Sequence, residues 1–218
     1  MTLCQGCSKE RWKMAQQWEK DVWRRYSTDG EDWNPWWAQK FSGYEFLKGR
    51  KILSMLEVGC GPWAKNTIII LGVIGNDKRV VLEDPLLDDY ISTGKTITKL
   101  NAERFSVPLE ELVLPVKVDL VVCINVLDHV YSVGLCMDAI FRSLNREGIV
   151  IVGQDLTNDE DVSKTPNADV GHPVRIEASS CMEHLSVYRP IYQQILPRET
   201  GRNPSAHYGT LLFAGEKL

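Results

Sequence analysis

A short apolar run that ends in an acid and a glycine turn limits most strongly how this chain can fold. Residues 52–58, ILSMLEV, are followed at once by Gly59-Cys60-Gly61-Pro62. A run of this length and composition is typical of a buried parallel strand. The two glycines let the backbone turn sharply and approach a ligand closely, because no Cβ stands in the way. The sequence therefore predicts a strand, a tight turn and a helix, with a ligand site at the turn.

The alternation of strand and helix continues along the chain. Apolar runs predict further strands at 79–84, within 105–112, at 118–127 and at 149–156, and helices over 66–74 and 133–148. A helix near 176–186 and two strands, within 188–196 and 207–218, complete the pattern. This order predicts an α/β fold of the Rossmann-like, doubly wound type. Its seven-stranded sheet is expected to be mostly parallel, with helices on both faces and an antiparallel carboxy-terminal strand.

The first 50 residues have a different character. Apolar side chains recur at helical spacing over 11–26, which predicts an amphipathic helix. Aromatic residues then crowd the stretch 33–46. This stretch either packs on the core as a helix or covers a ligand pocket, since aromatic surface beside a cleft buries flat or apolar groups. We expect residues 1–50 to form a helical, aromatic-rich cap on a ligand-binding domain that spans 51–218.

Composition narrows the partners and the compartment. The chain has 218 residues and a net charge of −4, which argues against a protein whose whole surface binds nucleic acid. Its longest apolar run, 67–75, is far shorter than the roughly 20 residues of a membrane helix. Cys4 and Cys7 form a C-x-x-C pair without the second pair that a structural zinc site needs, and the other cysteines are expected to be reduced and buried. We expect a cytoplasmic protein without a membrane or nucleic-acid partner.

Two residues at the turn indicate a positively charged ligand. The spacing of Gly59, Gly61 and Ala64 also satisfies the dinucleotide-binding pattern, so the glycines alone do not show which kind of ligand binds at the turn. Burying Glu57 at the end of an apolar strand is costly unless something compensates its charge, and a cationic ligand would do so. Pro62 removes a backbone N–H where a phosphate would need a donor. S-adenosylmethionine carries a sulfonium, an ammonium and no phosphate, and therefore fits this turn.

The segment LEVGCGP resembles the first motif of the class I S-adenosylmethionine-dependent methyltransferases, and the resemblance covers roughly residues 50–155. It implies S-adenosyl-L-methionine as the cofactor. In the family, an acid at the end of the second strand accepts hydrogen bonds from the ribose; Glu83 and Asp84 compete for this role, and we favour Asp84. The segment PLEEL is similar to the part that holds the adenine, and VDLVVCINVLDHV to the strand that ends where the methyl group is presented. The implied cofactor-binding residues are Glu57, Gly59, Cys60, Gly61, Asp84, Pro85, Leu109, Glu110, Asn125 and Val126.

The resemblance implies methyl transfer to a small-molecule or saccharide-like acceptor. Such a transfer needs a base only if the acceptor must lose a proton. His129 is the first candidate, because the unperturbed pKa of histidine is near neutrality, and His172 in GHP is the second. Either histidine could instead be structural, and Asp128 could cap a helix. We also expect the long polar stretch 154–175 and the aromatic amino-terminal segment to close over the acceptor.

Two other functions fit parts of the sequence. A protein with this fold could have lost catalysis and act as a binding partner. An NAD(P)-dependent oxidoreductase or epimerase would also use a glycine turn followed by an acid. That chemistry needs a tyrosine–lysine pair at helical spacing after the fourth strand, and Tyr131 has no such lysine.

Overall fold

The computed structural model describes residues 6–25, 34–94, 100–157, 170–204 and 208–218. Over these ranges the helices are α1 (Lys9–Arg25), α2 (Asn34–Lys40), α3 (Lys65–Ile74), α4 (Leu87–Ser92), α5 (Val133–Ser143) and α6 (Ala178–Leu185). The strands are β1 (Ser54–Val58), β2 (Arg79–Glu83), β3 (Glu103–Phe105), β4 (Val118–Ile124), β5 (Leu144–Leu156), β6 (Tyr188–Pro197) and β7 (Gly209–Lys217). Short 3₁₀ turns lie at Ser42–Leu47, Leu109–Glu111 and Arg198–Thr200.

The seven strands form one sheet in the order β3-β2-β1-β4-β5-β7-β6. Strands β1 to β5 pair in parallel, and β7 runs antiparallel between β5 and β6. The predicted fold class is therefore confirmed. Strand order reverses between β1 and β4, so their carboxyl ends flank a crevice, which is where ligands bind in open sheets of this kind.

Two buried apolar clusters lie on the two faces of the sheet, because side chains alternate along each strand. The inward residues of α5 and α6 pack with Val121, Val150 and Phe213 in one cluster. The other cluster contains Leu120, Ile151 and the apolar residues of α2 and α3. Helices on both faces cover strands that are apolar on both sides, which explains why β1 and β4 are continuous apolar runs.

Most predicted elements lie within a few residues of the observed ones, but two differ. The helix predicted over 133–148 ends at Ser143, because Leu144 is buried and pairs with Val118 as the start of β5. The third strand precedes most of the predicted segment 105–112, where Leu109–Glu111 instead form a single turn after Pro108. The predictions for Cys4, for Trp33 and for 158–169 lie outside the described residues. None of the described helices is both long enough and apolar enough to cross a lipid bilayer.

The aromatic stretch after α1 packs on the core. Trp37, Phe41 and Tyr44 are buried in the same apolar cluster as residues of β1. The backbone of β5 makes room for one of these rings, because a Cβ on Gly153 would lie 2.8 Å from Cζ3 of Trp37. Core packing is therefore the role of these three rings, although one edge of Trp37 also reaches the cavity described below.

Candidate active site

A cavity of about 380 Å³ opens at the carboxyl ends of the central strands and is covered by α1. Its volume is within the range of small-molecule sites, roughly 300–1,000 Å³. The structure brings every residue predicted for the site to this one cavity: Glu57, Gly59, Cys60, Gly61, Asp84, Pro85, Leu109, Glu110, Asn125, Val126, His129 and His172. These residues come from four strand ends and from the segment after β5, so the topology of the sheet assembles them.

The glycine turn between β1 and α3 is sharply left-handed. Gly59 and Gly61 have φ angles of 57° and 59°, and Ala64 has a φ of 47° just before α3. A Cβ on Gly59 would lie 2.5 Å from Cγ2 of Val126, whereas nothing lies within 4 Å of one on Gly61. Gly59 thus allows β4 to approach the turn, and Gly61 leaves open space on the side of the cavity.

The carboxylate of Glu57 is compensated by α3. Asn66 Nδ2 donates to it at 3.0 Å, and Thr67 donates from its backbone N at 2.9 Å and from Oγ1 at 2.6 Å. Burial raises the pKa of Glu57, and the hydrogen bonds from Thr67 and Asn66 oppose that rise. The sequence predicts that a cationic ligand compensates this carboxylate. In the structure, donors of the following helix already do so.

Two acids at the end of β2 face the cavity. The carboxylate of Asp84 accepts hydrogen bonds from the backbone N of Gly61 at 3.0 Å and of Leu86 at 2.8 Å. Oε2 of Glu83 accepts one from the backbone N of Gly59 at 3.2 Å, while its buried Oε1 has no hydrogen-bond partner among the described residues. Burial, and then the charge of Glu19, raise the pKa of Asp84 to about 7. Both acids can therefore meet a ligand, and the choice between them stays a prediction.

Two more of the predicted cofactor residues, Glu110 and Asn125, are held by hydrogen bonds to backbone N–H groups. Glu110 accepts hydrogen bonds from the backbone N of Tyr131 at 2.6 Å and of Ser132 at 2.9 Å, so its carboxylate fixes the start of α5. Asn125 has a φ of 57°, a conformation that asparagine tolerates better than most residues. Its Oδ1 accepts a hydrogen bond from the backbone N of Asp155 at 3.2 Å, which fixes the carboxyl end of β4 against β5.

A cluster of two histidines and two acids lies at one end of the cavity. The rings of His129 and His172 are 4.5 Å apart between centroids, and Nε2 of each lies 3.8 Å from a carboxylate oxygen of Asp128. Nδ1 of His129 lies 3.5 Å from Oε2 of Glu19. Burial lowers the pKa of His129, but the charges of Glu19 and Asp128 outweigh it and raise that pKa to about 9.

Helix α1, part of the predicted cap, contributes lining residues to the site that the sequence pattern did not single out. Trp12, Gln16, Glu19 and Trp23 all line the cavity. Trp12 Nε1 donates to the backbone O of His129 at 3.0 Å, and Trp23 Nε1 donates to Oε1 of Glu19 at 3.2 Å. The sequence signal that could have identified this face is an acid, Glu19, at helical spacing between the aromatic residues Trp12 and Trp23.

Gln154 is a second residue that sequence reasoning missed. It is fully buried in β5, where its Oε1 accepts from the backbone N of Leu127 at 2.9 Å and its Nε2 donates to Oδ1 of Asp128 at 3.0 Å. A buried polar group needs such partners, and Gln154 therefore fixes the carboxylate of Asp128. The sequence signal that could have identified Gln154 is its position as a glutamine within the predicted strand 149–156.

Structural comparison identifies the fold. The chain is similar to the plantazolicin methyltransferase BpumL, which was solved with a triazolic desmethylPZN analog and S-adenosylhomocysteine. The two structures match with a TM-score of 0.66 and 12% sequence identity, and the match covers 95% of this chain and 96% of BpumL. It is also similar to the N-methyltransferase NodS from Bradyrhizobium japonicum WM9 in complex with S-adenosyl-L-homocysteine. That match has a TM-score of 0.64 and 14% sequence identity, and it covers 94% of this chain and 98% of NodS. The fold is thus the one these class I methyltransferases share.

The same fold also carries another reaction. The [4+2]-cyclase SpnF matches with a TM-score of 0.58 and 14% identity over 95% of this chain and 94% of that one. No protein-family profile and no curated protein sequence matches this chain. The function must therefore be argued from the residues of the cavity, since fold alone does not determine activity.

Proposed function

We propose that this protein binds S-adenosyl-L-methionine in the cavity and transfers its methyl group to a small-molecule or saccharide-like acceptor. One observation carries the proposal: ten residues assigned to the cofactor from sequence motifs, and two assigned to the acceptor, line a single cavity. The structural neighbours NodS and BpumL, solved with S-adenosylhomocysteine, support the same cofactor.

The residues at the turn fit this cofactor. Within the part of the chain that the structure describes, the buried Glu83 Oε1 has no hydrogen-bond partner, and a ribose hydroxyl can act as a donor to it. Asp84 lies beside it, and the open space at Gly61 admits a ligand close to the backbone. In this proposal Glu83 and Asp84 hold the ribose, Leu109 lies against the adenine, and Asn125 and Val126 face the reacting end. The cofactor supplies an electrophilic methyl group on a sulfonium.

The acceptor end is the cluster of Asp128, His129 and His172. The protein's task in such a transfer is to align the acceptor atom and to exclude water. The indole rings of Trp12 and Trp23 on α1 cover this end and provide flat apolar surface for a sugar or another ring. The two histidines are the groups placed to act on a hydroxyl or amine of the acceptor.

Titration calorimetry tests the cofactor assignment. The wild-type protein should bind S-adenosylmethionine and S-adenosylhomocysteine and should not bind NAD⁺. Glu83→Gln and Asp84→Asn each replace one acceptor oxygen with an amide nitrogen, a loss worth about 1–3 kcal/mol, so the variant of the true ribose ligand should weaken binding by roughly 5- to 150-fold. Asp88→Asn, an exposed acid nearby on α4, is the matched control. Tighter binding of NAD⁺ than of S-adenosylmethionine would contradict the proposal. Equal affinities of all three variants for S-adenosylmethionine would also contradict it.

A further inference from the structure

We propose that Asp128, His129 and His172 bind one divalent transition-metal ion at the acceptor end of the cavity. One ligand atom from each of the three residues lies within 4.8 Å of the other two. The inference deepens the proposed function, on which its role in the reaction rests, but the binding of an ion can be measured without any methyl transfer.

The distances suit a single ion after a small contraction. Nε2 of His129 is 3.8 Å from Oδ1 of Asp128, and Nε2 of His172 is 3.8 Å from Oδ2. Ligand atoms about 2.0–2.2 Å from a tetrahedral ion are about 3.4 Å from one another. The two histidine–aspartate pairs therefore need to close by only a few tenths of an ångström. The ligand atoms of the two histidines lie within 4.8 Å of each other and need to close by up to about 1.4 Å, which side-chain rotation can provide.

The groups behind two of the three ligands, His129 and Asp128, are of the kind that metal sites use. Metal-binding histidines usually donate their other ring N–H to a carboxylate, which fixes the tautomer. Glu19 Oε2 lies 3.5 Å from Nδ1 of His129, and Glu19 is itself fixed by Trp23 Nε1 at 3.2 Å. Gln154 Nε2 holds Oδ1 of Asp128 at 3.0 Å. Nε2 of His129 thus points toward Asp128, while Nδ1 points toward its carboxylate partner.

The charges around the cluster favour a cation. Glu19 comes from α1, Asp128 follows β4, and Asp84 at the end of β2 also acts on His129. Asp84 and Asp128 are buried, and the side chains of Glu19, His129 and His172 are only partly exposed. Buried carboxylates are costly unless they are paired or bind a metal, and a dication between the rings compensates them.

The donor set indicates which ion. Two imidazole nitrogens and one carboxylate suit Zn²⁺, Co²⁺, Mn²⁺ or Fe²⁺, whereas Ca²⁺ and Mg²⁺ prefer oxygen ligands. Both histidine rings line the cavity, so the ion would face the acceptor. Three protein ligands leave a position for an acceptor atom, as in catalytic metal sites. The acceptor class is therefore narrowed to molecules with a hydroxyl or amine that can coordinate the ion.

Titration of the chelator-treated protein with Co²⁺ tests the site by visible absorption. We expect one Co²⁺ per chain, with d–d bands and no thiolate charge-transfer band, which separates this site from the Cys4–Cys7 pair. His129→Gln and His172→Gln should abolish these bands, and Glu19→Gln should weaken affinity by about 10- to 100-fold. His184→Ala, a histidine on α6, is the matched control and should bind like the wild type. If circular dichroism shows that His129→Gln is unfolded, His172→Gln decides the result.

No Co²⁺ binding, a thiolate band, or unchanged binding in His172→Gln would overturn the metal site. Calorimetry with S-adenosylhomocysteine on the same samples separates the two proposals. A protein that binds this ligand but not Co²⁺ retains the proposed function and loses the metal site. A protein that binds Co²⁺ at the three residues but not the ligand retains the metal site and loses the proposed function.

Discussion

Replacing Gly59 with alanine should destabilise the protein strongly, because two separate costs meet at this residue. Its φ of 57° costs an L-residue roughly 1–2 kcal/mol. The new Cβ would also lie 2.5 Å from Cγ2 and 2.9 Å from Cγ1 of Val126, and overpacking of this kind typically costs about 1–3 kcal/mol. We therefore expect Gly59→Ala to lower the free energy of unfolding by about 2–5 kcal/mol.

Gly61→Ala is the matched control for this experiment. Its φ of 59° is nearly the same, but nothing lies within 4 Å of the added Cβ, so only the backbone cost of roughly 1–2 kcal/mol remains. Urea unfolding of both variants should separate them by the overpacking cost, about 1–3 kcal/mol. Adding Val126→Ala to each variant should narrow that separation, because the clashing methyl groups are gone. Equal stabilities of Gly59→Ala and Gly61→Ala would refute the close contact between the turn and β4.

Two further predictions concern the buried acids. Asp84 has a folded-state pKa near 7 against an ordinary value of 3.8, so the folded protein binds more protons between these values. The contribution of Asp84 to the free energy of unfolding should therefore fall by up to about 4 kcal/mol as pH rises from about 4 to about 7. Calorimetric unfolding of wild type and Asp84→Asn over this range should show a difference in stability that depends on pH. A constant difference would contradict the raised pKa. Thr67→Val removes the 2.6 Å hydrogen bond to Glu57 and should cost about 1.5–3 kcal/mol in urea unfolding. Thr93→Val, at an exposed helix end, should change stability by less than about 0.5 kcal/mol, and similar losses in both variants would show that Glu57 does not depend on Thr67.

The fold could be predicted because its elements carry local signals. The apolar run before Gly59 predicts a buried strand, and the glycines that follow predict the turn. Leu144 was assigned to a helix because the periodicity of α5 continues into it. In the structure Leu144 begins β5 because it pairs with Val118 on β4, and such a contact between distant segments leaves no local pattern in the sequence.

The site could be predicted only in part, for a similar reason. The cavity residues follow strand ends, and parallel strands bring their carboxyl ends to one edge. The compensation of Glu57 by Thr67 depends on how α3 packs against β1, which the spacing of the motif does not specify. Glu19 meets His129 only because α1 folds across the end of the sheet. Sequence periodicity gives the faces of α1 but not the surface on which it lies.

A crystal structure of the protein with S-adenosylhomocysteine would test the cofactor assignment most directly. We expect the ribose hydroxyls within hydrogen-bond distance of Glu83 or Asp84, the adenine beside Leu109, and the sulfur directed toward Asn125 and the histidine cluster. An S-adenosylhomocysteine molecule bound outside this cavity, or one whose ribose touches neither acid, would contradict the proposal.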